Sequence, residues 1–219
     1  MRSRIPLRWL ALLGIIWPVF FISVVIVQGI LQPDYSHIAM PISALAAWPY
    51  GWMQNLNFFV AGTLSAAFTI GVHHAIRPTR RGVVGIVLLL ASSAGFVLDG
   101  FFPWINVNGV PTEPLPHALA AVLTFLCAST GLIVLSRRMT ADTRWQGLSA
   151  YVLSTGIVML ILFVVVGFFA VDAGTPLHSW AGLLQRVLAA VWIACGFVIA
   201  SRVMRVARRA PMSTAGEGA

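Results

Sequence analysis

The chain is predicted to be an all-α, polytopic integral membrane protein, a bundle of six transmembrane helices with both termini cytoplasmic. Three observations predict this. Of 219 residues, 59% are hydrophobic and only 9% charged, whereas a soluble domain carries about 25% charged residues. The apolar residues gather into six runs, each long enough for a bilayer core that needs about 20 residues. Thirteen of the fourteen arginines cluster at alternate run ends: Arg2, Arg4 and Arg8; Arg77, Arg80 and Arg81; Arg137, Arg138 and Arg144; and Arg202, Arg205, Arg208 and Arg209. The intervening loops hold none, so the positive-inside rule places every cluster, and both termini, in the cytoplasm of a multi-pass cell-membrane protein. The net charge of +8 is therefore a topology signal, and no nucleic-acid partner is expected. The mid-run Cys127 and Cys195 read as small apolar residues and support no disulfide framework.

In chain order, residues 1–8 form a cytoplasmic arm and 9–204 the membrane domain. Span one covers 9–31. It lacks a small-x-small cleavage site, so it reads as an anchor and not a signal peptide, and Pro18 should kink it. The first outer loop, 32–52, carries Trp48, Tyr50 and Trp52 as interface anchors, and 41–47 is predicted as a turn or two of helix on the membrane surface. Span two, 53–76, shows a small polar contact face at Asn55, Gly62 and Ala66, with His73 and His74 at its inner end. Span three, 82–103, aligns Ser92, Phe96 and Asp99 at helical spacing.

A second outer loop, 104–115, has Asn, Gly and Pro as turn residues. Span four, 116–135, opens with Pro116 at a favoured first position. Its stripe His117, Ala121, Thr124, Ala128 and Gly131 is small after the histidine and invites close helix packing. Span five is 147–170. The third outer loop, 171–182, contains Asp172, His178 and Trp180. Span six is 183–204, and the tail 205–219 ends in a polar stretch expected to be disordered.

Asp99 is the one carboxylate within the apolar runs and Arg186 is its cationic counterpart. A charge in hydrocarbon is expensive unless it is paired, neutralised or facing water, which makes such residues candidate functional sites. The topology puts Asp99, His117 and Arg186 at one depth, beside Asp34, Ser36, His37, Ser43, Glu113 and His178 in the outer loops. One reading is a structural ion pair between Asp99 and Arg186. The other is a ligand cavity of Asp99, His117, Arg186, Asp34 and Ser43, in which Arg186 grips a phosphate or carboxylate. His37, His117 and His178 are candidate zinc ligands with an open fourth position. No short-range ligand spacing accompanies them, and the alternative is three interfacial histidines. A bis-His haem is disfavoured, because His73 and His74 lie at the opposite end from every other histidine.

The segments Pro33-Asp34-Tyr35-Ser36-His37 and Pro41-Ile42-Ser43-Ala44-Leu45 resemble the first-loop signature of the bacterial and archaeal membrane family called domain of unknown function 998. Gly51-Trp52, residues 58–62, Asp99-Gly100-Phe101-Phe102-Pro103, His117 and Gln185-Arg186-Val187 are similar to later parts of that pattern. The resemblance runs from about Trp9 to Arg205 and implies a six-helix membrane protein with no assigned reaction. A more distant likeness to the Frag1 and DRAM group implies lipid remodelling only by analogy of fold. The combination of Ser, Asp and three His also resembles membrane zinc amidohydrolases of the ceramidase type. The chain departs from these in having six spans and no late His-x-x-x-His.

The expected function is binding or handling of a membrane lipid or other amphiphile through an outer-leaflet cavity, without a cofactor. The alternatives are a zinc-dependent lipid hydrolase and a small-solute transporter. The transporter lacks the inverted repeats and broken helices usual for that class.

Overall fold

Among the described residues, six helices are long and apolar enough to cross a membrane. A computed structural model describes residues 6–77, 82–170 and 174–209. The sequence readings on Arg2, Arg4, Arg80, Arg81, Asp172 and the tail 211–219 lie outside the described residues. The helices are α1 (Leu7–Ile30), α2 (Gly51–Ala75), α3 (Gly82–Phe101), α4 (Leu115–Thr140), α5 (Gln146–Phe169) and α6 (Ala181–Arg209). The predicted spans are thus found, with α4 and α6 running about one turn beyond their expected inner ends. Apolar side chains such as Ile16, Val19, Leu119, Val122, Ile157 and Ile161 stand exposed on the outside of the bundle. A water-facing surface would not carry so many, and the chain is a multi-pass membrane protein.

Each helix packs on its neighbours in the chain and α6 closes the ring onto α1, with α2 also touching α6. The centre of the ring is aromatic. Phe96 and Trp192 stack with centroids 5.3 Å apart and an interplanar angle of 8°, and Trp17 lies 5.9 Å from Trp192. Small residues set the closest approaches. The predicted α4 stripe is buried at His117, Thr124, Ala128 and Gly131. It meets α3, where a Cβ added to Gly85 would lie 2.9 Å from the backbone nitrogen of Leu135. Between α2 and α3, Gly62 faces the Ser93 carbonyl, and Ser65 donates to the Ser93 hydroxyl at 3.0 Å.

Two loops are more ordered than their composition suggested. Residues Ile42–Ala47 form a 3-10 helix whose Ile42, Ser43, Ala44 and Leu45 are buried. This helix is tucked against α1, α2 and α6 at the end of the ring. The second loop is a β-hairpin of β1 (Ile105–Val107) and β2 (Val110–Thr112). Its turn residues Asn108 and Gly109 both have positive φ, 53° and 88°. Asn-Gly between extended, β-branched residues is the signal for such a turn; reading it only as a loop overlooked the strands on either side.

At the end bearing the termini, the α4–α5 turn grips the end of α2. Arg138, buried although charged, donates through Nη2 to the carbonyls of His73 at 3.0 Å and Ile76 at 2.6 Å, and through Nε to that of Arg77 at 3.0 Å. His73 and Ile76 lie at the helix C-terminus, where carbonyls lack intrahelical partners, and Arg77 follows the cap. Asp142 accepts from the Arg77 amide at 3.1 Å and from Arg144 Nη2 at 2.7 Å. Trp145, fully buried, sits beneath. Arginines that read as topology markers are thus also fasteners.

The Arg144 guanidinium and the two backbone amides hold the Asp142 carboxyl well below the usual carboxylate range. Its folded value is depressed, so its contribution is present above the unfolded value of about 3.9 and is lost as pH falls below that. Melting in detergent should therefore drop on acidification below about pH 4. Asp142→Asn should lose about 1.5–3 kcal/mol at pH 7, the range for hydrogen bonds to a charged group, and should show a flatter acid profile. Equal acid profiles for the two proteins would remove Asp142 from the account.

Candidate functional site

At the opposite end, the ring encloses a cavity of about 580 Å³, including the part open to solvent. Its wall is largely aromatic: Trp17 and Phe21 from α1, Phe58 from α2, Phe96 from α3, Phe125 from α4 and Trp192 from α6. Its polar side is built by Asp99, Glu113, His117, Ser43 and Gln185. A second cavity, about 480 Å³ on the same basis, lies between Ser65, Thr69, Ser93 and Leu135 and shares Trp17 and Trp192 with the first.

Asp99 reaches the cavity because helical spacing puts it on the inward face with Ser92 and Phe96. It is 4% exposed. Its Oδ2 lies 3.4 Å from the Thr124 hydroxyl. That hydroxyl has a single proton and sits closer, at 2.9 Å, to the Ala120 carbonyl. Its Oδ1 has no hydrogen-bond partner. His117 Nδ1 is 3.7 Å from Oδ1 and 2.8 Å from the Phe102 carbonyl. A carbonyl only accepts, so Nδ1 carries a proton and Nε2 is the acceptor of the neutral ring. Glu113, in the loop between β2 and α4, is half-buried, and burial pushes its carboxyl above the ordinary value. Trp17, 3% exposed, has an indole N–H without a partner.

The first loop caps this end and is fastened to α1 and α6. Gln28 donates to the carbonyls of Leu45 at 3.0 Å and Tyr50 at 2.9 Å. The amide of Leu183 donates to Ile38 at 2.9 Å, and the amide of Ile42 to Gln185 Oε1 at 2.5 Å. Arg186 donates to the Met40 carbonyl at 3.1 Å, the Tyr35 hydroxyl at 2.7 Å and His37 Nδ1 at 3.1 Å. The guanidinium lies over the Tyr35 ring, 5.5 Å from its centroid. Burial raises the Tyr35 phenol, and partial burial together with the nearby Arg186 charge lowers the His37 imidazole.

Several sequence expectations are corrected by this geometry. Among the described residues Asp99 and Arg186 form no ion pair. Successive residues of a helix diverge by about 100°, so Gln185 turns to the cavity while its neighbour Arg186 turns to the loop, where several acceptors satisfy it. The basic side chain that Asp99 meets is instead His117, whose Nδ1 is 3.7 Å from Oδ1. Ser43 lines the cavity, whereas Asp34 is exposed and does not.

His37, His117 and His178 are not gathered: the first accepts from Arg186, the second faces Phe102 and the third lies 3.2 Å from the Ala170 carbonyl. No group of three or more His, Cys, Asp or Glu among the described residues could hold a metal. The aromatic wall was missed. Trp17 and Trp192 lie in mid-run, too deep for an interfacial belt, and that depth was the available signal.

The family model described as "Protein of unknown function (DUF998)" matches residues 9–202. No curated protein and no solved structure matches the chain.

Proposed function

Since the chain belongs to the DUF998 family of membrane proteins, we propose that it binds an amphiphile, with the polar head beside Asp99, Glu113, His117 and Ser43 and the apolar tail along the aromatic wall. Asp99 carries the reading. Its Oδ1 is buried at the cavity wall without a partner, and such a group costs free energy until something supplies a hydrogen bond. The mixture of an apolar wall with a few convergent polar groups is that of a small-molecule site. The arginine clusters support placing the capped end at the outer leaflet of the cell membrane and both termini in the cytoplasm. Arg186 serves the site indirectly, by holding the cap closed.

Ala121 is small and lines the cavity, so Ala121→Trp fills it. Native mass spectrometry of detergent-purified protein should find a retained amphiphile in the wild type and little in a folded Ala121→Trp variant. Equal retention by the two proteins would show that the amphiphile sits elsewhere on the bundle.

A further inference from the structure

We infer that the head recognised is a cation, an alkylammonium. This rests on the amphiphile reading above. The charge census of the cavity carries it. The lining holds two carboxylic side chains, Asp99 and Glu113, one imidazole, and no Lys or Arg. Arg186, the one described arginine near this end, is committed to Met40, Tyr35 and His37 of the cap. The remaining described arginines are at the far end of the bundle or its edges.

A phosphate, sulfate or carboxylate head would therefore enter a largely apolar site with two acidic groups and no donor cation, which is unfavourable on both counts. A neutral hydroxylated head could hydrogen-bond but would leave the acidic character unused. An ammonium meets the unpartnered Asp99 Oδ1 directly. It also comes near Phe58, whose ring centroid is 6.0 Å from that of His117, and aromatic rings attract cations and build the cages that recognise quaternary ammonium groups. His117 adds an acceptor: with its Nδ1 proton directed at Phe102, its Nε2 carries a lone pair. A zwitterionic phospholipid head also contains an ammonium, but its phosphate has no partner in the lining. The structure therefore favours a single-charge alkylammonium over a bilayer lipid.

The test compares four hexyl amphiphiles on wild-type protein in neutral maltoside micelles: hexyltrimethylammonium, hexylphosphocholine, hexyl sulfate and hexyl glucoside. Saturable quenching of tryptophan fluorescence and upward thermal shift are read together. The ammonium should bind at least about tenfold more tightly than the other three, about 1.4 kcal/mol, which lies within the range of a cation–π contact. Glu113→Gln lies in a loop and is expected to fold; it should weaken the ammonium about fivefold and leave the glucoside unchanged. Asp99→Asn should do the same or more wherever it folds.

Equal binding of sulfate or glucoside would overturn the cationic head while leaving the amphiphile reading intact. Equal binding of hexylphosphocholine would assign the cavity to a phospholipid and also overturn it. Saturable binding of none of the four would remove both readings.

Discussion

Arg138→Ala is expected to lower stability by roughly 3 kcal/mol or more, the largest loss from any single truncation outside the aromatic centre. Three carbonyls at the end of α2 accept hydrogen bonds from this one guanidinium. Each buried acceptor left without a donor costs about 1–3 kcal/mol. The planar fork matters as much as the charge, because Nε and Nη2 serve different carbonyls at once. Lysine offers a point charge without that fork, so Arg138→Lys should recover less than half of the loss. Equilibrium unfolding in mixed micelles measures both variants. A loss below about 1 kcal/mol for Arg138→Ala would mean that water replaces the guanidinium at these carbonyls.

Gly95→Leu should be comparably severe for a different reason. A Cβ at this position would overlap the Thr124 hydroxyl and approach the Ala120 carbonyl to 3.0 Å. Backbone cannot swing aside as a flexible side chain can, so α3 and α4 would have to separate. Overpacking costs about 1–3 kcal/mol where the surroundings can adjust, and more where they cannot. The same substitution displaces Thr124, the hydroxyl nearest Asp99 Oδ2, so ligand binding should fall along with stability. Gly147→Leu is the control, since a Cβ there meets nothing within 4 Å. If the two variants melt together, the α3–α4 crossing is looser than its small residues indicate.

The six helices and their approximate limits were legible because length and hydropathy are properties of each run by itself. The inward face of α3 and the small stripe of α4 were legible for the same reason: helical periodicity acts within one segment. What the chain did not disclose was which segments meet. Asp99 and Arg186 share a depth, yet they sit on helices of a ring whose centre is occupied by Phe96, Trp17 and Trp192. Equal depth is therefore not contact. The three histidines failed as a metal set by the same logic, each being satisfied locally by a carbonyl or by Arg186. The β-hairpin is different, since Asn108-Gly109 between extended residues was readable and simply underweighted.

The fastening of the first loop has a kinetic consequence. The Arg186, Gln185, Leu183 and Gln28 bonds all tie the loop to α1 or α6, the pair whose contact closes the ring. Opening of the loop requires these bonds to break together, as one local unfolding event with its own free energy. For any molecule that passes by this route, such a step slows entry and exit by the same factor and leaves the equilibrium affinity unchanged. The amide of Leu183, hydrogen-bonded to Ile38, would report that opening by its exchange with solvent.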